Sequence, residues 1–325
     1  MSLSTVLYST QENVLKFGGP IVLFIGTIGC ILNLMVFTKN SLRKNPCTIC
    51  LIAVNIVDII YFYLGFLLTI LAVGYNTDLS ISSIGFCRFR FYISFVLTCS
   101  QPTCLILASI DRTLITSKNV ETRQRSTRRL IITSLISLIL FYAIVEIHGL
   151  LFMEILQYGP NYFVCFYQPG TYTTFMGYHA LIVNGFIPPL LMAIFGLWTV
   201  KNVRNVQRRL PITHATNREH VNIGRPYVIQ SKDRQLIRML LVDIIAFIIF
   251  KFPVTIILIY QQITQYNQKS SEQQIIEQSF LQLSYFWYFI DSSIGCYTNI
   301  LVSKTFRAEL KNILSNISLF FCRRP

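Results

Sequence analysis

Residues 87–113 read CRFRFYISFVLTCSQPTCLILASIDRT, an apolar stretch with a cysteine at one end and the ionic pair Asp111-Arg112 at the other. Cys87 and Arg112 are 25 residues apart, which is roughly 37 Å along an α-helix at about 1.5 Å per residue. A tilted helix of this length reaches from one surface of a lipid bilayer to the other. The stretch therefore predicts a membrane-spanning helix with Cys87 near one surface and Arg112 near the other.

The composition of the whole chain is that of a membrane protein. Of its 325 residues, 53% are hydrophobic and 13% are charged, and the mean hydropathy is +0.54, values far from those of a soluble domain. Seven apolar stretches are each near the ~20 residues that cross a bilayer. They lie at 18–38, 48–73, 88–114, 130–152, 174–200, 237–261 and 278–303. We predict an all-α membrane protein in which residues 18–303 form a bundle of seven transmembrane helices.

The distribution of basic residues predicts how the chain is oriented. Most of the 28 Lys and Arg residues lie in the segments 39–47, 115–129, 201–238 and 304–325, which all fall on one side of the predicted bundle. Cytoplasmic segments are enriched in Lys and Arg, so we expect an extracellular N-terminus (1–17) and a cytoplasmic tail (304–325). The formal net charge of +14 then mostly faces the anionic lipids of the inner leaflet. A nucleic-acid partner is not expected, because the charge is divided among loops between spans.

Cysteine usage predicts one disulfide. Of nine cysteines, only Cys87 and Cys165 fall on the outer side in this topology. A cysteine pair in an oxidising compartment favours a disulfide, and two free thiols are the alternative. On the opposite side, Cys322 stands between two phenylalanines and two arginines. A cysteine beside a basic patch is a candidate for palmitoylation, with a free thiol as the alternative.

Charged residues inside the apolar stretches are the first candidates for function, because a charge at bilayer depth is rarely kept without a role. Asp58 and Lys251 are about ten and about fourteen residues in from the cytoplasmic ends of their spans, and Asp291 is about thirteen in from the outer end. At about 1.5 Å per residue, all three lie near the midplane.

The sequence carries no signature of an enzyme, a cofactor site or a metal site. Its four histidines, His148, His179, His214 and His220, are scattered over different segments, and no zinc-binding spacing of His and Cys is present. A nucleophile elbow and a phosphate-binding glycine loop are also missing from the sequence. We therefore predict a protein that is not an enzyme and has no cofactor or metal.

With these features, the chain resembles the rhodopsin-like (class A) G-protein-coupled receptors, as a divergent member, from the first predicted span through the tail. Asp111-Arg112-Thr113 is similar to the family's Asp-Arg-Tyr motif, and Asp58 to the aspartate of its second span. The further matches are Cys87 and Cys165 for the disulfide, Pro188 and Pro189 for the fifth-span proline, Phe247 and Pro253 for the sixth-span Phe and Pro, and Phe306-Arg307 for the start of a short amphipathic eighth helix. The resemblance implies a plasma-membrane receptor that transduces an extracellular ligand to a heterotrimeric G protein.

Several residues depart from the family's pattern. Cys30 replaces the first-span asparagine, with Asn33 one turn further on, and Lys251 replaces the sixth-span tryptophan. Residues 295–299 read Gly-Cys-Tyr-Thr-Asn where the family has Asn-Pro-x-x-Tyr. These positions carry the family's conformational switch, so a receptor relative that does not signal is an alternative.

The resemblance assigns an activation switch to the cytoplasmic half of the bundle. Arg112 is expected to pair with Asp111 and with Asp233 at the foot of the sixth span, and the alternative is an arginine that extends to the inner interface. The other expected members of the switch are Phe247, Pro253 and Asn299.

The same resemblance places Asp58, Lys251 and Asp291 on neighbouring helices that face the bundle core. An isolated charge at this depth is strongly unfavourable, so we expect Lys251 to lie against Asp291 with Asp58 close by. Its ammonium would take the place of the sodium ion that many relatives hold. The alternative is that Lys251 extends to water along the ligand cavity. Asp243 is expected to form a buried hydrogen bond near Asn299.

The sequence leaves the ligand open. Ser94 stands where the family's amine receptors have an aspartate, and Phe289 where opsins have the retinal lysine, so neither an amine nor retinal is expected. Ser94, Tyr167 and Phe289 are candidate contacts for a peptide or a chemosensory small molecule. Glu146 and His148 form either a structural pair or a ligand contact.

An ion-coupled transporter or a channel is the rival from a different functional class. In that interpretation Asp58, Lys251 and Asp291 form an ion path. The inverted repeats that transporters often have are not found in this sequence, which favours the receptor.

Overall fold

The computed structural model describes residues 3–40, 42–159, 162–167, 170–209, 231–264 and 267–322. Within them, six helices are long and apolar enough to cross a membrane, and two more helices follow. In chain order they are α1 (Thr5–Phe37), α2 (Pro46–Gly74), α3 (Ile84–Ile115), α4 (Arg128–Leu151), α5 (Thr171–Asn205), α6 (Asp233–Ile263), α7 (Ser271–Val302) and α8 (Lys304–Cys322). A short helix, Val120–Gln124, connects α3 to α4, and an antiparallel hairpin of β1 (Met153–Gly159) and β2 (Tyr162–Tyr167) connects α4 to α5.

The predicted spans fall on these helices, most of which extend beyond the apolar stretches at both ends. The seventh predicted span, 278–303, falls on α7, which is 32 residues long but is not among the six helices that are apolar enough to cross. The predicted N-terminal segment (1–17) is continuous with the first span, because helical geometry begins at Leu3 and runs without a break through α1. Gln11 and Leu15 in this extension are buried. The start of the chain therefore packs onto the bundle.

Four of the helices begin at capping side chains. Asn45 accepts a hydrogen bond of 3.2 Å from the Cys47 amide at the start of α2, where Pro46 takes the first helical position. The corresponding caps of α3, α4 and α7 are Ser83, Thr127 and Ser270. A capping oxygen satisfies an amide that has no partner within its helix. These residues therefore set where each helix starts.

The largest cluster of buried apolar residues surrounds the end of the bundle that contains Arg112, which we call the arginine end. All eight helices contribute to this cluster. Phe306, Leu310 and Ile313, which are spaced along one face of α8, are buried in it. The ring of Phe306 meets that of Phe37 edge-on, with 5.7 Å between centroids. One face of α8 is therefore packed against the bundle.

Candidate functional site

The opposite end of the bundle, which we call the disulfide end, carries the β-hairpin. Cys87 near the start of α3 is bonded to Cys165 on β2, with 5.7 Å between their Cα atoms, so the predicted disulfide is confirmed. Beside it, Nε of Arg88 donates a hydrogen bond of 3.0 Å to the carbonyl oxygen of Met153 on β1. One covalent bond and one polar contact thus hold the hairpin to α3.

Near the disulfide end, a carboxylate meets two histidines from different helices. The fully buried carboxylate of Glu146 has one oxygen 3.2 Å from Nε2 of His148 and the other 3.1 Å from Nε2 of His179. The thiol of Cys99 on α3 donates to Oε1 of Glu146 at 3.4 Å. The sequence suggested the pairing of Glu146 with His148, but it contains no signal for His179, which comes from α5. The cluster joins α3, α4 and α5.

The three candidate ligand contacts lie in different surroundings. Ser94 on α3 and Tyr167 on β2 are half-buried, and the ring centroid of Tyr167 is 6.0 Å from that of Tyr172. Phe289 on α7 is 5% exposed and stacks on Phe66 of α2, with 4.1 Å between centroids. Phe289 is thus a packing residue between α2 and α7 in this arrangement.

The midplane charges are arranged around Lys251 of α6. Its ammonium lies 3.7 Å from Oδ2 of Asp291 on α7 and donates a hydrogen bond to Oε1 of Gln101 on α3. It also lies over the rings of Phe247 and Tyr288, 4.2 Å and 3.9 Å from their centroids. Lys251 is only 4% exposed. The ammonium is therefore held inside the bundle by a carboxylate, an amide and two aromatic faces, and it does not extend to water.

Asp58 joins this group through two polar side chains. Its Oδ1 accepts a hydrogen bond of 3.0 Å from the hydroxyl of Ser292, and the amide of Gln101 donates to the same hydroxyl at 3.5 Å. Gln101 in turn accepts from Lys251. The sequence predicts Asp58 near Lys251, and the structure adds Gln101 and Ser292 to the group. Both are polar residues inside apolar stretches, and that signal could have identified them.

A second polar group connects α1, α2 and α7. Asn33 donates to Oδ1 of Asn55 at 2.9 Å, and Asn299 donates to Oδ1 of Asn33 at 3.3 Å. Asn33 thus provides the polar contact of α1, about one turn after Cys30, which occupies the family's asparagine position. Asp243 on α6 accepts a hydrogen bond of 3.5 Å from Thr298, the neighbour of Asn299. Asp243 therefore forms a hydrogen bond near Asn299, as expected, and its partner is the adjacent residue Thr298.

At the arginine end, Arg112 contacts two carboxylates and the residue that caps α2. Its guanidinium binds the carboxylate of Asp111, and Nη1 lies 3.0 Å from Oδ1 of Asp233 on α6. Nη2 donates to Oδ1 of Asn45 at 2.6 Å, and the amide of Asn45 donates to Asp233 at 3.0 Å. Arg112 is fully buried and the Asp233 side chain is 13% exposed. Arg112 therefore does not extend to the interface, and Asn45 is a partner that the sequence did not indicate.

The remaining candidates lie on α6 and α8. Phe247 is 1% exposed and belongs to the large apolar cluster, and Pro253 lies inside α6. Cys322 is the last residue of α8, and its side chain is outside the part of the chain that the structure describes.

These polar contacts attach α3 to α6 at two levels, through Lys251 near the middle and through Asp233 at the arginine end. A displacement of α6 relative to α3 has to change both contacts. Buried polar groups that must exchange partners give a bundle discrete arrangements rather than a continuous range. The geometry is therefore suited to a conformational change that is felt at both levels.

Comparison with known proteins identifies the family. No curated protein matches the chain. The family model described as 7 transmembrane receptor (rhodopsin family) matches residues 29–294, which is most of the chain and includes Cys87, Arg112 and the midplane charges. The protein is thus a multi-pass membrane receptor and not an enzyme. The chain belongs to the rhodopsin family of seven-transmembrane receptors.

Proposed function

We propose that the chain is a plasma-membrane receptor that passes the binding of an extracellular ligand to a heterotrimeric G protein. Family membership supports both kinds of partner in general, and we propose a peptide or a chemosensory small molecule as the ligand. The disulfide end faces outward in this proposal, with Ser94 and Tyr167 as ligand contacts. The arginine end faces the cytoplasm and its anionic lipids, which is supported by the distribution of Lys and Arg.

In this proposal α7 is the seventh membrane crossing and α8 lies along the inner leaflet. The 32 residues of α7 exceed the ~20 that a crossing needs, and its polar residues Asp291 and Asn299 are buried against other helices. On α8, Arg307 and Lys311 are exposed, as in helices that lie in a membrane interface. Cys322 at the end of α8 is the proposed palmitoylation site.

The observation that carries the proposal is the buried ionic contact between α3 and α6. Family membership implies that α6 swings outward at the arginine end to admit the G protein. This movement has to separate Asp233 from Arg112, so the pair favours the closed arrangement over the open one. A ligand that favours the open arrangement works against this contact.

Replacing Asp233 with alanine is expected to raise basal G-protein activation about two- to tenfold. The closed arrangement loses one carboxylate from Arg112 but retains the contacts with Asp111 and Asn45, so it is weakened and not abolished. The measurement is nucleotide exchange on the G protein without ligand, in membranes that contain equal amounts of each receptor variant.

Glu121→Ala is the matched control, because it also removes a carboxylate at the arginine end, from the short helix Val120–Gln124 that follows α3. Glu121 pairs with Arg125 at 3.6 Å, but both side chains are more than 70% exposed, and such pairs contribute little. This variant is expected to keep the wild-type basal activity. Unchanged or lowered basal activity in Asp233→Ala, at equal surface expression, would count against the contact as a restraint on α6.

A receptor relative that binds a ligand without activating a G protein is the second candidate. It is favoured by Lys251, which contacts α3 and α7 from α6, and by the altered sequence of residues 295–299. A G-protein activation screen against a library of peptides and small molecules distinguishes the two candidates. A ligand-dependent response supports signalling, whereas a library member that stabilises the receptor without any response, together with a silent Asp233→Ala variant, supports the second candidate.

A further inference from the structure

A group of potential metal ligands lies at the junction of α4 and α5, apart from the contacts of Lys251 and Arg112. Within the described residues, the donor atoms of Glu146, His148 and His179 lie within 4.8 Å of one another. The helix of α4 is interrupted after Val145 by a turn at Glu146 and resumes at His148. This turn brings Glu146 and His148 together, although side chains two positions apart do not meet on a continuous helix.

The carboxylate of Glu146 lies close to both imidazole nitrogens of the group. The two oxygens of Glu146 lie 3.2 Å from Nε2 of His148 and 3.1 Å from Nε2 of His179. Tetrahedral zinc has bonds of about 2.0–2.1 Å to nitrogen and oxygen, which places neighbouring donors about 3.3–3.4 Å apart. Each of these two contacts, one for each carboxylate oxygen, is therefore close to the separation between neighbouring zinc ligands.

Two atoms of the group are buried without a hydrogen-bond partner. Oε2 of Glu146 and Nε2 of His148 are close, but their geometry does not form a hydrogen bond. Nδ1 of His148 is engaged by the hydroxyl of Tyr172 at 2.8 Å. When Nδ1 carries the ring proton, the lone pair of Nε2 faces the carboxylate oxygen and the two atoms repel. A cation between them removes this repulsion and gives both atoms a partner.

The contact with Tyr172 is of the kind that accompanies metal-binding histidines. A ligating imidazole almost always has its second nitrogen hydrogen-bonded, which fixes the ring orientation and leaves the other nitrogen free for the metal. Here Tyr172 engages Nδ1 and leaves Nε2 directed at Glu146. The ring of His148 is further fixed by edge-on contacts with Phe175 and His179, at 5.5 Å and 5.7 Å between centroids.

We propose that Glu146, His148 and His179 form a binding site for a zinc ion. Two imidazole nitrogens and one carboxylate suit zinc, whereas magnesium and calcium prefer oxygen donors alone. Three protein ligands leave a fourth position for water or for a donor atom of another molecule. The side chains of His148 and His179 are 15% and 11% exposed, so the group lies near the surface of the bundle. The ion ties the end of α4 to α5.

The test is a zinc titration of the full-length receptor, purified without a histidine tag and placed in lipid nanodiscs. One zinc ion is expected to bind per chain, measured by equilibrium dialysis and elemental analysis. The melting temperature is expected to rise with zinc concentration, because the ion binds the folded state. EDTA reverses the rise, and magnesium chloride at the same concentration has no effect.

Variants of the donors and of Tyr172 locate the site. Glu146→Gln, His148→Ala and His179→Ala are each expected to weaken zinc binding at least about tenfold, and Tyr172→Phe, which keeps all three donors, to weaken it about tenfold. The matched control replaces the other two histidines of the chain, His214 and His220, with alanine and is expected to keep the wild-type affinity.

Two results would overturn the proposal. One is a wild-type receptor that neither binds zinc nor gains thermal stability from it, a result that does not depend on the folding of any variant. The other is loss of zinc binding in the His214→Ala, His220→Ala control combined with wild-type affinity in the variants of Glu146, His148 and His179.

Discussion

Replacing Lys251 with methionine is expected to reduce the yield and the melting temperature of the folded receptor, and a second replacement of Asp291 with asparagine is expected to restore both. Methionine keeps most of the length and packing of the side chain but removes its charge. Asp291, which is 9% exposed, then becomes a buried carboxylate without its cation. Breaking a buried pair in this way destabilises a protein by about 3–5 kcal/mol. The measurements are fluorescence-detected size-exclusion chromatography and thermal unfolding.

The structure ranks the two midplane carboxylates, and this ranking provides the control. Asp291 contacts the ammonium directly at 3.7 Å, whereas Asp58 is connected to it through Ser292 and Gln101. Asp291→Asn is therefore expected to rescue Lys251→Met better than Asp58→Asn does. Equal yields in the single and double variants, or a better rescue by Asp58→Asn, would contradict this assignment of the pair.

The same arrangement predicts how the receptor responds to sodium. In the wild type the ammonium of Lys251 already supplies a cation near Asp58 and Asp291, so the melting temperature is expected to be the same in sodium chloride and in choline chloride. Lys251→Met removes that cation and is expected to gain a sodium-dependent stabilisation. A strong sodium dependence in the wild type would show that the ammonium does not take the place of the ion.

The features that the sequence predicted correctly follow from hydropathy along the chain and from the topology that it implies. A long apolar stretch forms a helix whatever its neighbours are, because its backbone groups must be satisfied internally in a bilayer. The disulfide between Cys87 and Cys165 could also be predicted, because the predicted topology places only these two cysteines on the outer side. In each case the residues concerned and their order along the chain contain the necessary information.

The sequence alone does not predict which residues the functional side chains contact. Asn45 and Asp233 are 188 residues apart, and His179 reaches Glu146 from a different helix, so these contacts depend on how each helix is rotated in the bundle. Hydropathy does not report that rotation, because residues that face lipid and residues that face the core are both apolar.

Replacing Cys87 or Cys165 with alanine is expected to destabilise the receptor by about 2–5 kcal/mol, or to prevent its accumulation. The bond closes a loop of 78 residues and anchors the hairpin to α3. Without it, the hydrogen bond from Arg88 to Met153 remains next to the site, and a single hydrogen bond contributes only about 1 kcal/mol. The measurement is the melting temperature of the folded fraction.

Either of the two single substitutions removes the whole disulfide bond. The double variant is therefore expected to be no less stable than the worse of the two single variants, since the effects of residues that act as one unit are not additive. Cys104→Ala on the same helix is the matched control, because Cys104 is also buried but carries a free thiol, and it is expected to lower stability much less. Wild-type stability in the single variants would mean that packing alone holds the hairpin. We expect a loss of stability instead, because the buried apolar cluster around the bond is small. It consists of the two cysteines and Met153 with four partly buried neighbours, and packing of this extent does not replace a covalent link.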